Sequence, residues 1–164
     1  MFARTDRLLL RPGWIEDAPA LTAALDHGAM AGAIAALPCP CTLDDARVFL
    51  AQPFVATRPR LLIFARDAGA PDLVGGIGLY DRSDRVTLGY WIRPDRRWRG
   101  YATEAGRAML DIAAMLGIER LTAGDRIDNP ASAAVLHKLG FRPGRRRRME
   151  YLLHPEPIAQ PLAA

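Results

Sequence analysis

Lysine is almost missing from this chain. Lys138 is the only one among 22 basic residues, so the net charge of +4 and the isoelectric point near 9.6 are carried by arginine. A basic surface draws weakly on any polyanion, and an arginine bias beside abundant alanine is compositional, so it does not single out nucleic acid as a partner. Cysteine is scarce too. Cys39 and Cys41 are too few for a disulfide framework, and two sulfurs alone do not make a zinc site; free thiols and no metal are expected. No apolar run approaches the roughly 20 residues of a membrane span. The opening Met1-Phe2-Ala3-Arg4-Thr5-Asp6 has no signal-peptide core. The expectation is a cytoplasmic protein with no membrane partner. Two phosphate-binding signatures are absent as well: there is no G-x-x-x-x-G-K-[ST], and Gly75-Gly76-Ile77-Gly78 is neither a full G-x-G-x-x-G nor followed by a helix.

The length of 164 residues suits one domain, able to bury roughly two thirds of its unfolded surface without disulfides or metals. We expect it to span residues 1–154, with a mobile tail at 155–164 after His154-Pro155-Glu156-Pro157.

What is present is a strand, a turn and a helix around Arg97-Trp98-Arg99-Gly100-Tyr101-Ala102-Thr103-Glu104-Ala105. Apolar side chains then fall at Ala102, Ala105, Met109, Ile112, Ala113 and Leu116, the three-and-four spacing of a helix with one buried face. Gly117 supplies a C-terminal cap. The start of such a helix presents unpaired N–H groups and the positive end of the macrodipole, and here Arg97 and Arg99 precede it around a glycine lacking a Cβ. A turn of this make-up can hold a pyrophosphate.

The remaining pattern is read in chain order. Residues 5–11 carry Leu8, Leu9 and Leu10 between arginines and predict a short edge strand ending at Pro12. Ile15, Ala18, Leu21 and Leu25 have helical spacing, with Glu16 and Asp17 in the first turn and Gly28 at the end. After a small, alanine-rich segment at 27–37, a second helix starts at Thr42 with Asp45 as a capping-box variant; its apolar face is Leu43, Ala46, Phe49 and Leu50. Strands over 61–66, 73–80 and 85–93 are joined by short turns of turn formers, which makes an antiparallel meander. Beyond the central helix come a strand at 120–125, a helix at 130–139 capped by Gly140, and a last strand within 146–153. The fold class is α+β, a mixed and mostly antiparallel sheet flanked by helices. In it the helix-linked strands at 85–92 and 120–125 can run parallel.

Arg97-x-x-Gly100-x-Ala102 resembles the [Q/R]-x-x-G-x-[G/A] acyl-CoA loop of the GNAT acetyltransferase superfamily. Six residues alone are a weak signal, but Gly100-Tyr101-Ala102-Thr103-Glu104-Ala105 after Leu88-Gly89-Tyr90-Trp91-Ile92-x-Pro94 makes it specific. Asn129-x-x-Ser132 leading to Lys138-Leu139-Gly140-Phe141 is similar to the superfamily's second motif, and together they resemble its ribosomal-protein N-terminal acetyltransferase branch. The resemblance implies a GNAT acyl-CoA N-acyltransferase fold whose two central strands splay apart to admit the thioester arm of acetyl-CoA. It also makes the first two helices one wall of the acceptor site. Acetyl-CoA is then the acyl-donor substrate and a primary amine, on a peptide N-terminus or a small molecule, is the acceptor. We expect a monomer or a homodimer.

On this reading the backbone N–H groups of Gly100, Tyr101, Ala102 and Thr103 carry the pyrophosphate, and Arg97 and Arg99 add charge-assisted contacts. Trp98 shields the loop or covers the core. A backbone N–H near Trp91 or Ile92, freed by a strand bulge as in the family, would hold the thioester oxygen. Asn129 is a good N-cap before Pro130 in its own right, and in the family it also helps position the pantetheine arm. Ser132 falls with Val135, Leu136 and Leu139 on the apolar side of its helix, where a hydroxyl needs a partner; bonding back to a helix carbonyl would satisfy it. Many superfamily members place a tyrosine at the position of Leu136 to protonate the leaving thiolate, and in this branch the serine at Ser132 is the substitute.

Glu104 is a candidate base, set against an ion-pair chain with Arg107 and Asp111 and against repulsion from the pyrophosphate. Asp125 stands nearest to where relatives often keep a glutamate, and fits a strand-end turn or a partner for Arg126 equally well. Arg145 to Arg148 is a charged run that blocks sheet pairing, or one that draws an acidic acceptor or a 3′-phosphate. The function expected is N-acetyl transfer by direct attack of the amine on the thioester in a ternary complex. The alternative is a CoA-binding regulatory or protein-interaction module that lost turnover, suggested by Leu136, by the absent glutamate and by a C-terminal segment shorter than the family's. An RNA-associated basic protein is a further rival, separable by salt-dependent RNA binding.

Overall fold

The computed structural model describes residues 1–26, 37–67, 69–82, 85–124, 129–143 and 150–153. Gly28, Asp125, Arg126, Arg145 to Arg148 and the tail at 155–164 lie outside the described residues. Eight strands form one sheet: β1 (Ala3–Arg4), β2 (Leu8–Arg11), β3 (Arg60–Ala65), β4 (Asp72–Arg82), β5 (Arg85–Ile92), β6 (Leu121–Gly124), β7 (Arg142–Pro143) and β8 (Glu150–Leu153). Their spatial order is β1-β2-β3-β4-β5-β6-β8-β7. Helices α1 (Ala18–Leu25) and α2 (Leu43–Leu50) cover one face, and α3 (Tyr101–Met115) and α4 (Pro130–Lys138) the other.

The two-sided cover explains why β3 is buried continuously rather than alternately. Leu61, Ile63 and Ala65 join the core under α3 and α4, while Leu62 and Phe64 join the core under α1 and α2. In α3 the predicted face is buried at Ala105, Met109, Ile112 and Ala113, and Tyr101 and Gly106 add to it. Full burial of a side chain the size of Met109 or Ile112 contributes about 1.5–3 kcal/mol. Gly106 lets α4 come close, since a Cβ there would stand 2.5 Å from Leu139 Cδ1. The caps at Gly117 (φ +70) and Gly140 (φ +90) are left-handed, as a helix C-terminus favours. Thr42 and Asp45 close a reciprocal capping box at the start of α2.

Four expectations need correction. The 5–11 strand is not an edge: the Thr5 N–H donates to Leu8 O (3.0 Å), turning the chain so that β1 pairs outside β2 through Ala3↔Leu10 and Arg4↔Leu9. Ile15 does not share the buried face of α1. Asp17 accepts from the Trp14 N–H (2.7 Å) and pairs with Arg11, so Ile15–Asp17 forms a separate 3-10 turn that leaves Ile15 half exposed. On α2, Ala46 is fully buried but Leu43 points outward. The strand bulge is also displaced: β4 and β5 pair without a shift from Gly75↔Ile92 to Arg82↔Arg85. The irregularity lies one strand over, where Ile63↔Gly75 and Phe64↔Leu73 leave Val74 of β4 as the extra residue.

Candidate active site

β5 outlasts its parallel neighbour. It pairs with β6 only through Val86↔Leu121, Thr87↔Thr122 and Leu88↔Ala123, whereas its pairing with β4 continues to Ile92. From Gly89 onward, among the described residues, no strand pairs with the other edge of β5, which leaves a gap there. Thr122 Oγ1 donates to Val86 O, which puts the peptide groups of even-numbered residues on the β6 side of the strand. The same alternation directs the backbone of Ile92 into the gap, and Arg97 Nε reaches the Ile92 carbonyl there (3.3 Å). Trp91, paired with Gly76, turns its backbone toward β4.

The loop after β5 ends in two left-handed residues close together, Trp98 (φ 64) and Gly100 (φ 82). A bulky aromatic at positive φ is strained, by about 1–3 kcal/mol, and such strain concentrates at ligand-gripping segments. Trp98 is 87% exposed, so it does not cover the core. Gly100 is the N-cap of α3 with no side chain to satisfy the first-turn N–H groups of Tyr101, Ala102 and Thr103. Arg97 and Arg99 are exposed beside this concave run of N–H donors, which suits an anion in shape and sign. The Tyr101 side chain is turned away from it. Its ring is buried and its hydroxyl donates to Asp67 Oδ2 (2.8 Å); burial and that bond raise its pKa.

Glu104, the candidate base in the first turn of α3, is bound elsewhere. Its carboxylate accepts from Thr5 Oγ1 (2.5 Å), the Arg7 N–H (3.0 Å) and Arg7 Nε (2.8 Å), with Arg7 Nη2 at 2.6 Å. Burial alone would raise its pKa, but these donors outweigh it and hold the carboxyl below the ordinary range. Arg7 also donates through Nη1 to Arg99 O (2.9 Å), so the β1–β2 turn braces the loop from behind.

Ser132 meets a partner the sequence reading missed. Its Oγ lies 2.9 Å from the hydroxyl of Tyr90, which sits on the gap-facing end of β5. Its N–H donates to Asn129 Oδ1 (3.1 Å), the N-cap interaction of α4. Leu136, one turn on, is fully buried and Leu139 nearly so. A usable signal existed: Leu88, Tyr90 and Ile92 alternate onto one strand face, and a tyrosine there requires a partner for its hydroxyl.

On the opposite face of the same strand, a shallow, open cleft lies between α2 and the sheet. Phe49, Phe54, Tyr80 and Trp91 line it with Arg60, whose guanidinium stacks on Phe49 (5.3 Å) and donates to Gln52 Oε1 (2.6 Å). The glycine-rich run of β4 serves this packing and is no phosphate loop: a Cβ on Gly76 would stand 2.5 Å from the Trp91 indole nitrogen. Asp125 is outside the described residues, and among the described residues no cluster of metal ligands occurs. Among them, too, no helix is long and apolar enough to cross a membrane.

Comparison with known proteins agrees with this geometry. No curated protein matches the chain. Among solved structures, a GNAT-family acetyltransferase from Bacillus anthracis superposes with a TM-score of 0.75 at 24% identity, over 93% of this chain and 96% of that one. An acetyltransferase from Agrobacterium tumefaciens gives 0.72 at 25% identity, over 94% and 95%. RimL, a ribosomal L7/L12 α-N-protein acetyltransferase solved with coenzyme A, gives 0.73 at 17% identity, over 94% and 98%. The family model described as an acetyltransferase (GNAT) domain matches residues 7–142. This match spans both the anion-suited loop and the strand gap, and the chain belongs to the GNAT acetyltransferase family.

Proposed function

We propose that the protein transfers an acetyl group from acetyl-CoA to a primary amine, by direct attack within a ternary complex. One observation carries the reading: the gap along β5 past Leu88, as the described residues leave it, opens beside the N-terminus of α3, which supports adjoining places for a thioester and a pyrophosphate. The residues fit the donor. Backbone N–H groups at 100–103 and the charges of Arg97 and Arg99 take the diphosphate, a Cβ-free Gly100 leaves it room, and Asn129 stands at the gap as a contact for the pantetheine arm. The Ile92 N–H, rather than that of Trp91, takes the thioester oxygen as charge develops on it. No bulge is needed for this, since among the described residues no strand pairs with that edge of β5 beyond Leu88.

Ser132 is assigned to the departing sulfur. A thiol with pKa near 8.5 is a fair leaving group, so the assistance required is modest. Glu104 receives a structural role, because its carboxylate is already saturated by Thr5 and Arg7. Asp125 is left as the carboxylate assigned to relay a proton from the amine. The aromatic cleft across β5 takes the acceptor; Arg60, the one charged residue among its described lining, suits an amine whose neighbouring groups are apolar or acidic. The test is calorimetric titration of CoA followed by thiol release from acetyl-CoA over a panel of peptide and small amines. Binding with turnover supports transfer, binding without turnover on any amine favours the regulatory module, and absence of binding refutes both.

A further inference from the structure

We infer that Tyr90 is a positioning residue for thiol departure, acting through Ser132 as a two-hydroxyl relay. This rests on the acetyl-transfer reading above and deepens it. The position that carries a tyrosine in many relatives is Leu136 here, fully buried and without a proton to give. The chain instead brings a phenol to the same helix from the neighbouring strand. The Tyr90 hydroxyl is 2.9 Å from Ser132 Oγ and 3.4 Å from the Ser132 carbonyl, so its short, strong contact is with the hydroxyl.

The direction of that bond follows from chemistry. The phenol is the more acidic hydroxyl, with an ordinary pKa near 10, and is the natural donor toward an aliphatic oxygen. When Tyr90 donates to Ser132 Oγ, the serine's own proton points to a third acceptor. Asn129 Oδ1 holds the Ser132 N–H, so the serine is fixed from both sides and its hydroxyl is the remaining rotor. Both residues stand beyond the last described β5–β6 pair, Leu88↔Ala123, at the edge of the gap assigned to the thioester.

The amine nitrogen forms the new C–N bond, and the C–S bond breaks with its electron pair on sulfur. Ser132 passes its Oγ proton to sulfur while Tyr90 replaces it from the phenol. The surplus proton of the acetylated nitrogen passes to water by way of the base assigned to the amine, and water returns one to the Tyr90 phenolate. Nothing is oxidised or reduced, and the products are the amide and free thiol.

The test uses the full chain with Tyr90→Phe, Ser132→Ala and the double variant, together with Tyr90 replaced by 3,5-difluorotyrosine. We expect Tyr90→Phe to lower kcat about 10- to 100-fold, the range of a lost buried hydrogen bond, with the acetyl-CoA KM and the calorimetric CoA affinity within twofold of wild type. The double variant should be no slower than Ser132→Ala, because one residue works through the other. The fluorinated phenol, more acidic, should move the alkaline limb of the kcat profile to lower pH. Wild-type turnover in Tyr90→Phe, additive losses in the double variant, or an unmoved alkaline limb would each overturn the relay. Should Tyr90→Phe prove unstable, the near-isosteric fluorotyrosine profile decides alone. Absence of CoA binding in the wild type would instead strike the acetyl-transfer reading itself.

Discussion

Arg7 and Glu104 are bound to each other by Nε and Nη2 at 2.8 and 2.6 Å from one carboxylate oxygen, tying the turn before β2 to the first turn of α3. Arg7 is 40% exposed, so solvent screening trims the pair, and replacing Glu104 with Gln should cost about 1 kcal/mol. The folded carboxyl titrates below its ordinary value of 4.5. The stabilisation is therefore present above that pH and is lost as pH falls through the lower folded value. Melting curves of wild type and Glu104→Gln should differ most above the ordinary carboxyl value of 4.5 and converge once the pH is below the lowered folded value, with kcat at pH 7 little changed. A large loss of kcat without a loss of stability would restore Glu104 as an acid–base group.

Gly100 must accept φ +82, and a Cβ there would approach Arg7 Nη2 to 3.3 Å. Left-handed backbone costs a residue with a side chain roughly 1–2 kcal/mol, so Gly100→Ala should lower the melting temperature. Because the same loop presents the N–H groups, CoA affinity measured well below melting should fall by about tenfold, one lost or misdirected hydrogen bond. Unchanged affinity in the folded variant would remove the diphosphate from this loop.

Gly106 sets the distance between α3 and α4, and thereby the distance of Ser132 from β5. A Cβ at 106 would stand 2.5 Å from Leu139 Cδ1, so Gly106→Val should destabilise by about 1–3 kcal/mol through overpacking. Gly106→Ala should cost less in a Leu139→Ala background than in the wild type, and thermal melts of the two single variants and the double check the sign of that coupling.

The elements were legible where local rules decide them. The spacing of Ala105, Met109, Ile112 and Ala113 and the caps at Thr42, Gly117, Asn129 and Gly140 each depend on neighbours within a turn or two. What escaped sequence reading is long-range. Glu104 was set beside Arg107 on its own helix, but its partner is Arg7, 97 positions away. Ser132 was seen to need a partner, yet Tyr90 lies on another strand, 42 positions back. The bulge appears on β4 because Val74 is extra against β3, a matter of register that the flanking residues do not announce. The gap depends on β5 running past its last described pair with β6, Leu88↔Ala123, and no single residue encodes that difference.

The state of Glu104 bears on the acceptor. With that carboxylate engaged by Arg7, the first turn of α3 offers no free base to strip a strongly basic amine. An α-amine titrates near 7.7–8.0 and a lysine near 10.4, so keeping lysine neutral costs roughly 3.4 kcal/mol more. A peptide with a free N-terminus and no lysine should be acetylated faster at pH 7 than the same peptide N-blocked with one lysine, and the gap should narrow at pH 9. Faster reaction of the blocked lysine peptide at pH 7 would contradict this preference.

Direct transfer in a ternary complex is tested most sharply by initial rates of thiol release with acetyl-CoA and a peptide amine varied together. The account predicts intersecting reciprocal plots, acetylated peptide formed one-for-one with CoA, and no mass increase of the protein incubated with acetyl-CoA alone. Parallel plots with an acetylated protein species that passes its acetyl group to the peptide would contradict it.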